Sequence, residues 1–150
     1  MEFSKEINQS KPFKSEQIKA MLNVVYTAGK QQERIVRLLK PYGINDQHYN
    51  ILRILKGQNG SAMTPSQVKA VLINSRGDLT RLMDKLVKME LVERHHAEFD
   101  RRGVELKITE LGIALVSDIV SDFDQNKVYD FQLNEQESKQ LNTLLDKLRG

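Results

Sequence analysis

The sequence predicts a mainly α-helical chain with one small β-hairpin, and three observations carry that prediction. Apolar residues recur every three or four positions over several long stretches. One run breaks this rule: Val104, Leu106 and Ile108 alternate with Glu105 and Lys107, the period of a half-buried strand. Two capped helix starts, "TPSQ" at 64–67 and "SRGD" at 75–78, follow one another closely.

In chain order, residues 14–40 read as a long helix. Ile18, Leu22, Val25, Gly29, Gln32, Ile35 or Val36, and Leu39 share its stripe, and Pro41 and Gly43 stop it. Asn45 can cap a second helix through about Lys56, with Tyr49, Leu52 and Leu55 on its buried side. "KGQNGSAM" is a loop on its glycines and asparagine. Thr64 is then an N-cap, Pro65 fits the first turn, where its missing N–H is harmless, and Gln67 completes a capping box. This helix spans 64–72. Ser75 as cap with Asp78 three residues later opens another over 75–89, with Leu79, Leu82, Met83 and Leu86 apolar. Two helices joined by about two residues have helix-turn-helix spacing.

Leu91-Val92-Glu93-Arg94 begins a strand, and the charged tip Asp100-Arg101-Arg102-Gly103 separates it from the alternating run. A hairpin placed directly after a helix-turn-helix is a wing. Thr109 caps the next helix, with Leu111, Leu115, Ile119 and Phe123 as one stripe and Ile113, Val116 and Val120 as another. "DQNKVYDFQ" reads as a break, with Asp122 and Asp124 on a solvated helix end. Asn134 with Glu137 opens the last helix, whose apolar residues are Leu141, Leu144, Leu145 and Leu148. The expected architecture is therefore a winged helix-turn-helix lobe over 45–109, between dimerisation helices at 14–40 and 110–150. The double stripe on the helix after Thr109 favours a homodimer, because a monomer core covers one side of a helix only.

Composition narrows the function. The chain has 150 residues, 39% apolar and 29% charged, the size and balance of one compact unit. Cysteine is absent, so disulfides and thiolate metal sites are excluded. No window of about 18 apolar residues exists to span a membrane, and the N-terminus lacks the apolar core of a secretion signal, so the expected location is cytoplasmic. His48, His95 and His96 are the three histidines, and adjacent histidines on a strand face opposite ways. No metal, no cofactor and no catalytic activity are expected, since no nucleophile elbow, P-loop or dinucleotide fingerprint appears. Net charge is +3, and it is uneven. Residues 1–40 hold eight Lys/Arg against four Asp/Glu, whereas residues 110–150 hold four against eight. The C-terminal third is thus a poor surface for phosphate.

The outward face of the second helix of the pair holds Arg76, Gly77, Thr80, Arg81, Asp84, Lys85 and Lys88. Arginine can bond guanine O6 and N7 together, threonine can meet a thymine methyl or a phosphate, and glycine lets a helix approach closely. Arg101 and Arg102 at a loop tip suit the minor groove, where negative potential concentrates. Asp100 beside them is a brace that holds an arginine in one rotamer, and Arg94 lies at the hairpin's base. His96, near the wing, is placed to meet phosphate. Thr64, Ser66, Gln67 and Ser75, at helix starts, offer phosphate contacts where N–H groups point outward.

The stretch "LTRLMDKLVKMELVERHHAEFDRRGVELKITELG" (79–112) resembles the MarR group of bacterial and archaeal winged-helix regulators. The shared motifs are Leu91-Val92-Glu93-Arg94, Asp100-Arg101-Arg102 and Ile108-Thr109-Glu110-Leu111-Gly112, and the element order matches over nearly the whole chain. The resemblance implies a dimer with the terminal helices as its interface, Arg102 in the minor groove and Arg94 on the DNA backbone. It also implies repression at a pseudo-palindromic operator, with release by a small aromatic or phenolic ligand. Tyr26, Tyr42, His48 and Tyr49 are candidates to line the ligand pocket. One departure stands out: the family usually has glycine between recognition helix and strand, and this chain has Glu90, so a left-handed turn there carries strain of about 1–2 kcal/mol. The competing reading is a protein–protein module, a winged helix whose cationic face meets an acidic partner.

Overall fold

The computed structural model describes residues 2–73, 78–96, 103–129 and 132–150. Among the described residues, seven α-helices and a two-stranded antiparallel sheet follow in the order α1 (Phe3–Glu6), α2 (Glu16–Leu39), α3 (Asp46–Lys56), α4 (Pro65–Val71), α5 (Leu79–Lys88), β1 (Val92–His96), β2 (Val104–Ile108), α6 (Glu110–Gln125) and α7 (Glu135–Arg149). The fold is a winged helix-turn-helix, mainly α with a small β-wing, as the sequence leads one to expect.

Local chemistry starts and stops most of these elements. Asn45 and His48 form a reciprocal capping box on α3, Thr64 and Gln67 one on α4, and Asn134 and Glu137 one on α7. Each satisfies two N–H groups that a helix start would otherwise leave open. Helix α2 ends in a 3-10 turn over Lys40–Tyr42, and Gly43 closes it in the left-handed region at φ 69°. Thr109 caps α6 by accepting from the Gly112 N–H at 3.0 Å.

The core gathers around α3. Ile51, Leu52 and Leu55 meet Leu39 of α2, Val68 of α4, Leu86 of α5, Leu106 of β2 and Ile119 and Phe123 of α6, all of them fully buried. Burying side chains of this size stabilises by about 1.5–3 kcal/mol each. In the wing, Val92 pairs with Ile108 and His96 with Val104. Met63, from the loop before α4, bridges Leu106 as a third edge, with N–H to C=O contacts of 2.9 and 2.8 Å.

Three expectations need correction. Helix α5 begins at Leu79, not at Ser75, because Asp78 is extended and its carboxylate accepts from the N–H groups of both Thr80 and Arg81. The aspartate is the cap rather than the far partner of a capping box. The buried side of α6 is Gly112, Val116, Ile119 and Phe123, while Leu111 is 54% exposed. Its phase is set by Gly112, where a Cβ would lie 2.3 Å from the Leu91 carbonyl oxygen, so only glycine lets α6 approach the wing there. Asp122 is no solvated helix end either: it accepts from the Tyr42 hydroxyl.

Candidate nucleic-acid interface

The candidate interface consists of α4, α5 and the wing. At the start of α4, the Gln67 side-chain oxygen accepts from the Thr64 N–H at 2.8 Å and the Thr64 hydroxyl oxygen accepts from the Gln67 N–H at 3.3 Å. The Thr64 O–H and the Gln67 amide NH2 remain as donors that can point outward. Ser66 is exposed between them.

Helix α5 buries Met83 and Leu86 and packs Leu79 and Leu82 on the core, so the opposite face is open. Thr80 and Arg81 are exposed on its first turn, and the Arg81 guanidinium has no partner among the described residues. Lys85 is differently placed, since its ammonium donates to the Gly43 carbonyl at 2.6 Å and so reaches back to the end of α2. Arg94, midway along β1, donates to the Asp84 carboxylate of α5 at 2.5 Å. That pair joins the middle of β1 to α5. Nothing in the sequence pointed to it, because ten residues and a turn separate the partners.

Ser75, Arg76, Gly77, Asp100, Arg101 and Arg102 lie outside the described residues. His95 meets Glu93 at 2.9 Å, and His96 is exposed on the same strand. Among the described residues no group of three or more histidines and carboxylates could hold a metal ion.

Glu90 is left-handed at φ 60°, the strain expected of a non-glycine at this turn. Its carbonyl accepts from the Thr109 hydroxyl at 2.7 Å, which ties the turn to the start of α6.

The four candidate pocket residues do not converge. Tyr49 lines a cavity of about 330 Å³ between α2, α3 and α6, together with Gln32, Ile35, Arg53, Phe123 and Tyr129. His48 lines a separate cleft of about 360 Å³ beside Arg81 and Lys85. Tyr26 packs on Phe3, with ring centroids 5.6 Å apart. Tyr42 is spent on Asp122. That hydrogen bond, aided by burial and the carboxylate's charge, pushes the phenol up to about 12. Burial and the Lys85 ammonium hold the His48 imidazole below its ordinary value, while Asp46 opposes them.

With this geometry in place, residues 42–103 match the model of the MarR family. Over these residues the winged-helix lobe is similar to MarR-family regulators. Transcriptional repressor MprA of Escherichia coli K12 is 32% identical over 84 residues, covering 56% of this chain and 48% of MprA. The multiple antibiotic resistance protein MarR of Salmonella typhimurium is 29% identical over 93 residues, covering 61% of this chain and 63% of that protein. The chain spans about half the length of the first curated relatives it matches. In the solved structures, a mutant MarR from E. coli complexed with operator DNA matches with a TM-score of 0.76 at 26% identity, covering 92% of this chain and 99% of that one. The MarR likeness in three dimensions therefore extends beyond the lobe to the terminal helices.

Proposed function

We propose that this protein is a cytoplasmic transcriptional regulator, most simply a repressor, that binds double-stranded DNA as a homodimer on a pseudo-palindromic operator. The observation that carries the reading is the unit formed by α5 and the wing: an exposed helical edge with Thr80 and Arg81, locked through Asp84 and Arg94 to a hairpin. An edge of that width fits the major groove while a hairpin beside it reaches the neighbouring minor groove. The MarR–operator complex among the structural relatives supports the same use.

In this reading Arg76, Thr80 and Arg81 read bases, with Gly77 allowing close approach. Thr64, Ser66, Gln67 and Ser75 contact phosphate. Arg94 touches the backbone from the wing's base, and Arg101 and Arg102, braced by Asp100, hold the minor groove. The helices over 14–40 and 110–150 form the dimer. Support for that comes from two unpartnered apolar stripes: Ile18, Met21, Leu22 and Val25 on α2, and Leu141, Leu144 and Leu148 on α7, exposed by 39–66%. A small aromatic or phenolic effector in the Tyr49 cavity would act by binding better to a dimer whose spacing misfits DNA.

The test is binding to labelled duplexes over a range of salt, with wild type and Arg81→Ala. Sequence-dependent binding is expected, with about 1–3 kcal/mol of discrimination lost at one base position in the variant. Equal affinity for every duplex, or none at low salt, contradicts the operator reading and favours the protein–protein module.

A further inference from the structure

Four consecutive residues between α2 and α3 are each engaged by a different part of the fold. The Tyr42 hydroxyl donates to Asp122 of α6. The Gly43 carbonyl accepts from the Lys85 ammonium of α5 at 2.6 Å. Ile44 is buried in the core. Asn45 accepts from the His48 N–H at 2.9 Å and donates its own N–H to the His48 ring at 3.2 Å, fixing the start of α3. The left-handed turn at Gly43 is what aims the carbonyl at α5. A cation at the carbonyl end of α2 and its 3-10 turn is also favoured by the helix dipole.

We propose that Lys85 and Tyr42 are positioning residues: through Gly43 and Asp122 they tie α5 to the end of α2 and the end of α2 to α6, and so set the operator half-site spacing that the protein accepts. This rests on the DNA-binding reading. Helices α2 and α6 lead into the apolar arms, so their pose fixes how far apart two copies of α5 stand. The lobe is fastened to those arms by the core and, at the reading helix itself, by Lys85. With one N–H on the Gly43 carbonyl at 2.6 Å, the Lys85 ammonium is held at the end of α2. Lys85 therefore contributes to recognition through geometry rather than through charge.

The experiment uses the full chain with Lys85→Met, Lys85→Gln and Tyr42→Phe, each checked for folding by circular dichroism. Affinity is measured on a selected operator and on versions one base pair longer or shorter between half-sites, over a range of salt. The wild type is expected to prefer its own spacing. Lys85→Met and Tyr42→Phe should each reduce that preference about three- to tenfold, the scale of coupling through packed networks. The salt slope should stay unchanged, whereas a lost phosphate contact lowers it by about one unit. A reduced slope with spacing preference intact overturns the proposal, and so does preference unchanged in both variants. Lys85→Gln, which keeps an N–H donor one bond nearer the backbone, should retain part of the preference. A double-mutant cycle in urea, without DNA, reports the tie separately: non-additive losses for Tyr42→Phe and Lys85→Met are expected, and additive ones contradict it. A wild type that binds no duplex sinks the DNA reading and the spacing claim together, while a DNA-binding wild type with unmoved spacing sinks the tie alone.

Discussion

Arg94, midway along β1 of the wing, donates to Asp84 of α5 at 2.5 Å, a direct link between the hairpin and the helix that would enter neighbouring grooves. Both side chains are partly exposed, at 36% and 55%, and pairs of that kind contribute at most about 1 kcal/mol to stability. Their value lies in orientation and charge. Asp84→Ala is expected to leave the melting temperature nearly unchanged and to tighten non-specific DNA binding at low salt, because it removes a negative charge and frees the guanidinium. Arg94→Ala should weaken binding. Fluorescence anisotropy on a random duplex distinguishes them; weaker binding in Asp84→Ala would contradict the assignment.

Glu90 offers a stabilising substitution. A left-handed L-residue carries about 1–2 kcal/mol of strain, and glycine returns about 0.4–1 kcal/mol of that as unfolded-chain entropy. Glu90→Gly should therefore raise the urea midpoint by the equivalent of about 0.5–1 kcal/mol with an unchanged slope. The Thr109 bond to the residue 90 carbonyl survives the change, since it involves backbone only on that side.

Gly112 is the opposite case. An added Cβ meets the Leu91 carbonyl oxygen at 2.3 Å and Ile108 at 2.7 Å, and the nearer of these is backbone, which cannot turn aside. Gly112→Ala should destabilise by about 3 kcal/mol, the upper range for overpacking. A urea midpoint equal to wild type would show that α6 can shift away from the wing.

Stability should fall on the acid side through His48. Its imidazole is held below 6.5, chiefly by burial, and it accepts a hydrogen bond from Asn45 only while neutral at that nitrogen. A depressed value means the contribution is complete above about 6.5 and is lost as pH falls through the lower folded value. His48→Gln keeps a capping partner at the third position without the titration, so its stability should vary less between pH 7 and pH 5 than that of wild type. Parallel curves for the two would contradict this.

The apolar stripes predict the assembly. Leu144→Asp on α7, where the leucine is 63% exposed, should yield a monomer in light scattering while wild type runs as a dimer. Duplex affinity should fall with it, because two half-sites are then bound singly. A variant that remains dimeric places the interface elsewhere.

What was legible in the sequence follows from which interactions are local. Asn45, Thr64 with Gln67, Thr109 and Asn134 announce helix starts because a cap and its N–H partners lie within three residues. The start of α5 misled for the same reason: Ser75 and Asp78 stand at capping-box spacing, yet Asp78 caps the helix by itself. The inward phase of α6 was hidden because its determining residue, Gly112, has no side chain to count in a stripe. On α2 the stripe was visible, but core and interface give the same pattern, and Ile18, Met21, Leu22 and Val25 are exposed in one chain. The contacts that orient the site, Asp84 with Arg94, Lys85 with Gly43 and Tyr42 with Asp122, join residues 10, 42 and 80 apart, and no local rule reaches them. Arg34 belongs with these: it donates to the carbonyls of Asn126 and Lys127 and so closes the end of α6.

The central claim is that α5 and the wing grip a duplex as a twofold pair, and selection of bound fragments from random double-stranded DNA tests it most directly. Enriched fragments are expected to carry two inverted half-sites whose centres lie one helical turn apart, roughly 34 Å, and enrichment is expected to be lost with Arg81→Ala. Fragments with no shared sequence, or with a single unsymmetrical site bound equally well by that variant, would contradict it.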